Sequence, residues 1–253
     1  MHGFEPRFYR DHMGEHRFRS FIIKYKDSDL WIGVDDESYD ENMPEFAKQQ
    51  LLLLRNELET YILKQPLFAT SFAPVQVIDD APEIALQMGE AGFLSQTGPM
   101  ASVAGAFSEF IGKAIQKKFR VNELVVENGG DIYMILQKNL TLSVYAGDSM
   151  LSGKIGVEIP AIETPVGICT SAGTVGPSIS FGKADAVTVA CKNTLLADAF
   201  ATAIGNRIVS SSDIDMELSK VNQQPEILSL LIICDGKVGV KGKFQLRMIA
   251  PKP

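Results

Sequence analysis

Residues 123–137, ELVVENGGDIYMILQ, set two adjacent glycines between two strand-like runs. Few backbone arrangements suit such a stretch. Asn-Gly and Gly-Gly between apolar runs signal a tight hairpin, because the turns that match strand twist need φ > 0 at their centre. The spacing therefore predicts paired antiparallel strands on either side of Gly129 and Gly130. Glu127, Asn128 and Asp131 crowd around the double glycine. That leaves a second reading open, in which backbone amides at this turn closely approach a ligand.

Further strand-like runs surround the hairpin. Residues 19–34, RSFIIKYKDSDLWIGV, read as two strands about a Lys-Asp-Ser-Asp turn, and IYMILQKNLTLSVYAG reads as two more about Gln137-Lys138-Asn139. GKIGVEI (153–159), VGICTSAG (166–173), AVTVAC (186–191) and ILSLLIIC (227–234) continue the pattern, the last followed by an Asp-Gly turn and one or two short strands. Residues 66–80, punctuated by proline, read as a loop or a short edge strand. TSAGTVGPSISFGKADAV, rich in glycine and hydroxyls, reads as an exposed loop of the kind that often carries function.

Helices are fewer. Residues 44–65 open with a proline suited to a first helical turn and present Leu51 to Leu54, Leu58 and Ile62 as a core-packing face. A short amphipathic helix is predicted over 81–96 and a longer one over 97–119, with Thr97 or Gly98 as cap and Lys117 and Lys118 complementing the C-terminal end of the dipole. Its first two turns hold Ala101, Ser102, Ala104, Gly105 and Ala106. Side chains this small admit either a flat ligand or a tightly packed backbone. Strands in runs between isolated helices indicate an α+β protein with mainly antiparallel sheet.

The net charge of -7 argues against a general nucleic-acid binder, which needs a basic surface. No uncharged run reaches the roughly 18 residues of a membrane helix. The N-terminus is charged throughout and has no apolar signal core, so a cytoplasmic protein without membrane attachment is expected. Cys169, Cys191 and Cys234 each sit in an apolar run with no CxxC pairing and no nearby histidine, which points to buried small hydrophobes rather than zinc. His2, His12 and His16 are all the histidines, so the body of the fold has no imidazole for catalysis.

Residues 193–209, NTLLADAFATAIGNRIV, form the most informative helix. Leu195, Leu196, Ala199, Phe200, Ala203, Ile204 and Ile208 make one apolar arc, while Asp198, Thr202 and Asn206 line the other side at i, i+4, i+8. With alanine and glycine between them, these polar residues face something inside the protein. Carboxylate and hydroxyl oxygens suit Mg²⁺. A half-buried aspartate bonded to backbone amides suits the same pattern.

The order of small-residue helix, ENGGDIY, TSAG loop, strand and ADAFATAIGN helix resembles the ApbE-like proteins, most clearly over residues 90–240. The resemblance implies an α+β, T-fold-like architecture and a single domain over 1–253. Typical members are Mg²⁺-dependent FAD:protein FMN transferases that attach FMN to a threonine. More closely, GPMASVAGAF with ENGGDIY looks like a divergent branch, part of it associated with making homocysteine from aspartate semialdehyde. The resemblance implies that Asp198, Thr202 and the carbonyl of Ala101 hold Mg²⁺. It places Ala101, Asn128, Gly129, Gly130, Asp131, Thr170, Ser171, Ala172 and Gly173 around FAD or FMN, a small phosphate-bearing ligand. It also suggests a homodimer. The family's His-x-x-Asp-Pro-like segment is missing: the corresponding GPSISFGKADAV offers only Ser178, Ser180 and Lys183 as polar side chains between Gly176 and Asp185, and Ser102-Val103 replaces the usual Lys-Gly. Serine and lysine are poor substitutes for imidazole as a base. Three readings stay open: a divergent flavin-binding protein, a true FMN transferase, or a non-catalytic binding or assembly protein.

Overall fold

The computed structural model describes residues 17–173 and 182–249. Strands β1 (Arg19–Tyr25), β2 (Ser28–Val34), β3 (Leu124–Asn128), β4 (Asp131–Ile135), β7 (Val166–Ser171), β8 (Ala186–Cys191), β9 (Ile227–Cys234) and β10 (Lys237–Gly242) form one sheet. Their order is β1-β2-β3-β4-β7-β8-β9-β10, and each neighbouring pair is antiparallel. A second sheet holds β5 (Leu140–Ser143), β6 (Ile155–Ile159) and β11 (Gln245–Met248), in the order β11-β6-β5. The expected class, α+β with antiparallel sheet, is what the structure has.

The inner strands β3, β4, β7, β8 and β9 of the large sheet are buried on both faces, which explains why they read as apolar runs rather than alternating ones. The edge strands β1 and β10 are largely exposed. On one face, Val126, Tyr133, Cys169, Val187, Val189, Leu230 and Ile232 pack against the helices. On the other, Val125, Ile132, Met134, Ile168, Ala190, Leu231 and Ile233 meet Ile155, Val157 and Ile159 of the second sheet. The helical layer holds α1 (Met43–Lys64), α2 (Leu67–Thr70), α3 (Glu83–Ser95), a 3₁₀ turn at Pro99–Ser102 that runs into α4 (Val103–Lys118), and α5 (Thr194–Arg207). A smaller helix, α6 (Ile214–Lys220), lies against β10.

Four details depart from the sequence reading. The segment expected as loop or edge strand begins with α2, for which Pro66 occupies the N-cap position. The helix expected over 97–119 opens instead with the 3₁₀ turn at Pro99–Ser102, preceded by Gly98, one of its two expected caps, while the Thr97 hydroxyl pairs with that of Ser95 at 2.8 Å. The strands around Gln137-Lys138-Asn139 are no hairpin, because β4 and β5 belong to different sheets. The backbone groups that a hairpin would pair are taken up by side chains: Glu123 accepts from the Gln137 and Lys138 amides, Thr164 accepts from Leu136, and Arg17 donates to the Lys138 and Asn139 carbonyls. Finally, α6 was not anticipated, although Ser210 and Asp213 form a capping box just ahead of it, a signal readable from Ser-x-x-Asp.

Candidate functional site

The double glycine closes the β3–β4 hairpin. Asn128 pairs with Asp131, and Gly129 and Gly130 have φ of 71° and 101°, the pair of positive values that a two-residue primed turn requires. Glu127, fully buried, accepts the Gly130 amide at 2.8 Å and braces the turn. The Asn128 side chain donates to the Ala104 carbonyl in the first turn of α4. From the same helix, the Ser108 hydroxyl donates to the Asp131 carbonyl at 2.8 Å. The hairpin and the small-residue helix start, adjacent in the sequence argument, are bonded in space.

α5 completes the seam. It packs on β7 and β8 beneath it and on α3, α4 and the Pro99–Ser102 turn beside it, so its polar side faces protein as expected. Asp198, 8% exposed, accepts the Gly105 amide at 2.9 Å. Burial pushes its carboxyl up to about 7, against the amides of Gly105 and Ala104, which favour the charged form. Asp198 thus satisfies amides at the start of α4 that have no partner within their own helix. Thr202, one turn further, is half-buried, as is Ala101 in the 3₁₀ turn.

The end of β7 contributes unevenly. Gly130 lies beside the Thr170 carbonyl, 3.7 Å from where a Cβ on the glycine would sit. The Thr170 hydroxyl, however, pairs with that of Thr188 at 2.9 Å, and Thr188 borders a small void between the two sheets with Val157 and Phe244. Strand alternation therefore turns the Thr170 side chain away from α5. Ser171 turns toward α5, its hydroxyl 3.4 Å from where a Cβ on Gly205 would lie. Ala172 is half-buried and Gly173 exposed, its amide bonded to the Ala184 carbonyl. Lys183 is exposed, while Ser178, Ser180 and the three histidines lie outside the described residues.

The cysteines behave as small hydrophobes. All three are buried and free. Burial pushes the Cys169 thiol well up, with Asp131 and Asp198 adding like charge, and its Sγ–H donates to the Thr194 carbonyl. Among the described residues no group of three or more His, Cys, Asp or Glu side chains is arranged to hold a metal ion. No helix among them is long and apolar enough to cross a membrane. Two further residues belong to the seam, Gly105 of the small-residue stripe and Glu109, which had no part in the sequence reading. Gly105 lets α4 and α5 touch, and Glu109 is a buried carboxylate on α4. Its position as the one acidic residue in the stretch AGAFSEFIGKAI was the available signal.

This arrangement of layers and helices is the ApbE-type fold. A crystal structure of the flavinyl transferase ApbE of Pseudomonas stutzeri, in its apo form, matches with a TM-score of 0.59 at 13% identity, covering 89% of this chain and 94% of that one. The ApbE protein of Thermotoga maritima matches with a TM-score of 0.54, also at 13% identity, covering 89% and 97%. Residues 10–227 match the family described as AbpE bacteria, and the chain belongs to that family. Its relatives include a UPF0280 protein of Methanocaldococcus jannaschii, 42% identical over 234 residues that span 90% of this chain and 91% of the relative. A UPF0280 protein of Methanococcus maripaludis is 40% identical over 226 residues, spanning 88% and 90%.

Proposed function

We propose that the seam between the 128–131 turn, the start of α4 and α5 binds a flavin nucleotide, FAD or FMN, together with Mg²⁺. The observation that carries this reading is convergence. Asn128 and Asp198 reach the first turn of α4 from opposite sides, at the Ala104 carbonyl and the Gly105 amide. The fold shared with a protein described as a flavinyl transferase supports flavin among phosphate-bearing ligands. The donor set suits Mg²⁺, which takes one or two carboxylates and completes its octahedron with water and phosphate. Asp198 is a carboxylate stripped of hydration, and a cation beside it would favour the charged form that burial disfavours. Asp198, Thr202 and the Ala101 carbonyl would hold the ion, which when bound supplies positive charge to phosphate oxygens.

Transfer of FMN to a protein is the less favoured reading. It calls for a base, and the chain has no histidine beyond residue 16. A binding role without catalysis gains from the Asp198–Gly105 bond, which gives the carboxylate a task that needs no ligand. A place in homocysteine formation is carried by the branch resemblance alone, and the three buried thiols offer it no accessible nucleophile.

Thermal unfolding with FAD or FMN, with and without Mg²⁺, tests the reading. A rise in Tm that needs both flavin and ion, and that shrinks in Thr202→Val, is expected. No rise with any flavin overturns it. Mass spectrometry of an acceptor peptide incubated with FAD separates transfer from binding.

A further inference from the structure

We infer that Glu109 is a positioning residue for this seam, setting where α5 starts and hence where Asp198 and Thr202 point. The inference rests on the flavin and Mg²⁺ reading of the seam. Glu109 is 1% exposed on α4. One carboxylate oxygen accepts the amide of Thr194, the first residue of α5, and the other accepts the Lys113 ammonium at 2.6 Å. The exchange runs in reverse one turn away, where Asp198 of α5 accepts the Gly105 amide of α4. Residues 105 and 109 of one helix thus meet 198 and 194 of the other, so the helices run antiparallel. Each supplies the carboxylate that satisfies an amide at the other's start, where the dipole favours negative charge.

The start of α5 has little freedom to shift around this bond. Asn193 caps it by accepting the Leu196 amide, and the Thr194 carbonyl accepts the Cys169 thiol. A methyl group on Gly167 of β7 would lie 2.3 Å from the Thr194 Cα, and one on Gly105 would lie 2.6 Å from the Thr194 carbonyl oxygen. Thr194 is therefore clamped between strand and helix, with Glu109 holding its only amide. Asp198 lies about 6 Å further along the axis, one turn on, and takes its place from this anchor.

Glu109→Gln keeps an acceptor for the Thr194 amide and Glu109→Ala does not. Isothermal titration calorimetry with FAD and Mg²⁺ should show Glu109→Ala weakened about tenfold or more and Glu109→Gln within about threefold of the unaltered protein. Hydrogen exchange at the Gly105 and Thr194 amides should accelerate in Glu109→Ala alone. A variant that is merely less stable, with unchanged Kd and unchanged exchange at Gly105, overturns the inference. If the unaltered protein binds neither FAD nor Mg²⁺, the parent reading fails, and exchange at Gly105 alone then decides whether Glu109 sets the helix. Should Glu109→Ala not fold, Glu109→Asp, one methylene short of Thr194, takes its place in both measurements, and an unchanged Kd and exchange overturn the inference.

Discussion

Gly105 shows how one residue can hold a seam together. Alanine is about 1 kcal/mol better than glycine inside a helix, so Gly105→Ala looks favourable on propensity. Here the added methyl would lie 2.6 Å from the Thr194 carbonyl oxygen and 2.9 Å from the Asp198 Cβ. Neither neighbour is the far end of a flexible chain, so α4 and α5 must move apart. We expect a net loss of about 1–3 kcal/mol in urea denaturation. A variant as stable as the parent would mean that the helices separate freely. The stripe Ala101 to Ala106 left two readings open, flat ligand or tight packing. At Gly105 the packing reading applies.

Single elements are held by charge as well as shape. Glu217 of α6, 1% exposed, ties that helix to the last turn of α5 through Arg207, at 2.7 Å, and also pairs with Lys220. Burial opposes its ionisation, but the two cations outweigh it and hold the carboxyl below its ordinary value of 4.5. Because the folded pKa lies below the unfolded one, the stabilisation is complete above that ordinary value and is lost as pH falls through the folded pKa. Glu217→Gln should lose about 1–3 kcal/mol at pH 7. Its deficit against the parent should shrink in acid, read from urea midpoints at pH 7 and below pH 4. An equal deficit at both would show that the charge contributes nothing. At this scale the elements whose patterns are local are legible in the sequence. The helix over 193–209 is α5 within two residues at each end, and the Asn-Gly-Gly-Asp turn is the predicted hairpin. α6 escaped because its cap, not an apolar stripe, announces it.

Over the whole molecule, a sheet between two layers makes a distinct prediction. Ile232 and Ile233 are neighbours on β9, both fully buried, one against the helices and one against the second sheet. Each replaced by alanine should lose about 2–4 kcal/mol in chemical denaturation. If either loss were near zero, that face would be open to solvent. The run ILSLLIIC already implied this, since a one-sided strand would alternate.

Short-range chemistry was enough to place most strands and helices, the hairpin turn and the inward-facing side of α5, because each depends on residues a few positions apart. The layer to which β5 belongs depends on Arg17, Glu123 and Thr164, which lie far from it in the chain and satisfy the backbone it leaves behind. The resemblance placed Thr170 near the ligand without saying which of its groups faces it; its side chain faces the other layer and its carbonyl lies beside Gly130, because only the packed sheet shows which face of β7 meets α5. Asp198 was legible as a buried carboxylate. Its amide at Gly105 lies 93 residues away, and the amide at Thr194 that Glu109 accepts lies 85 residues from it. Spacing along a chain carries no record of such pairs. They exist because folding brings two helix starts together, and each start leaves amides that something must satisfy.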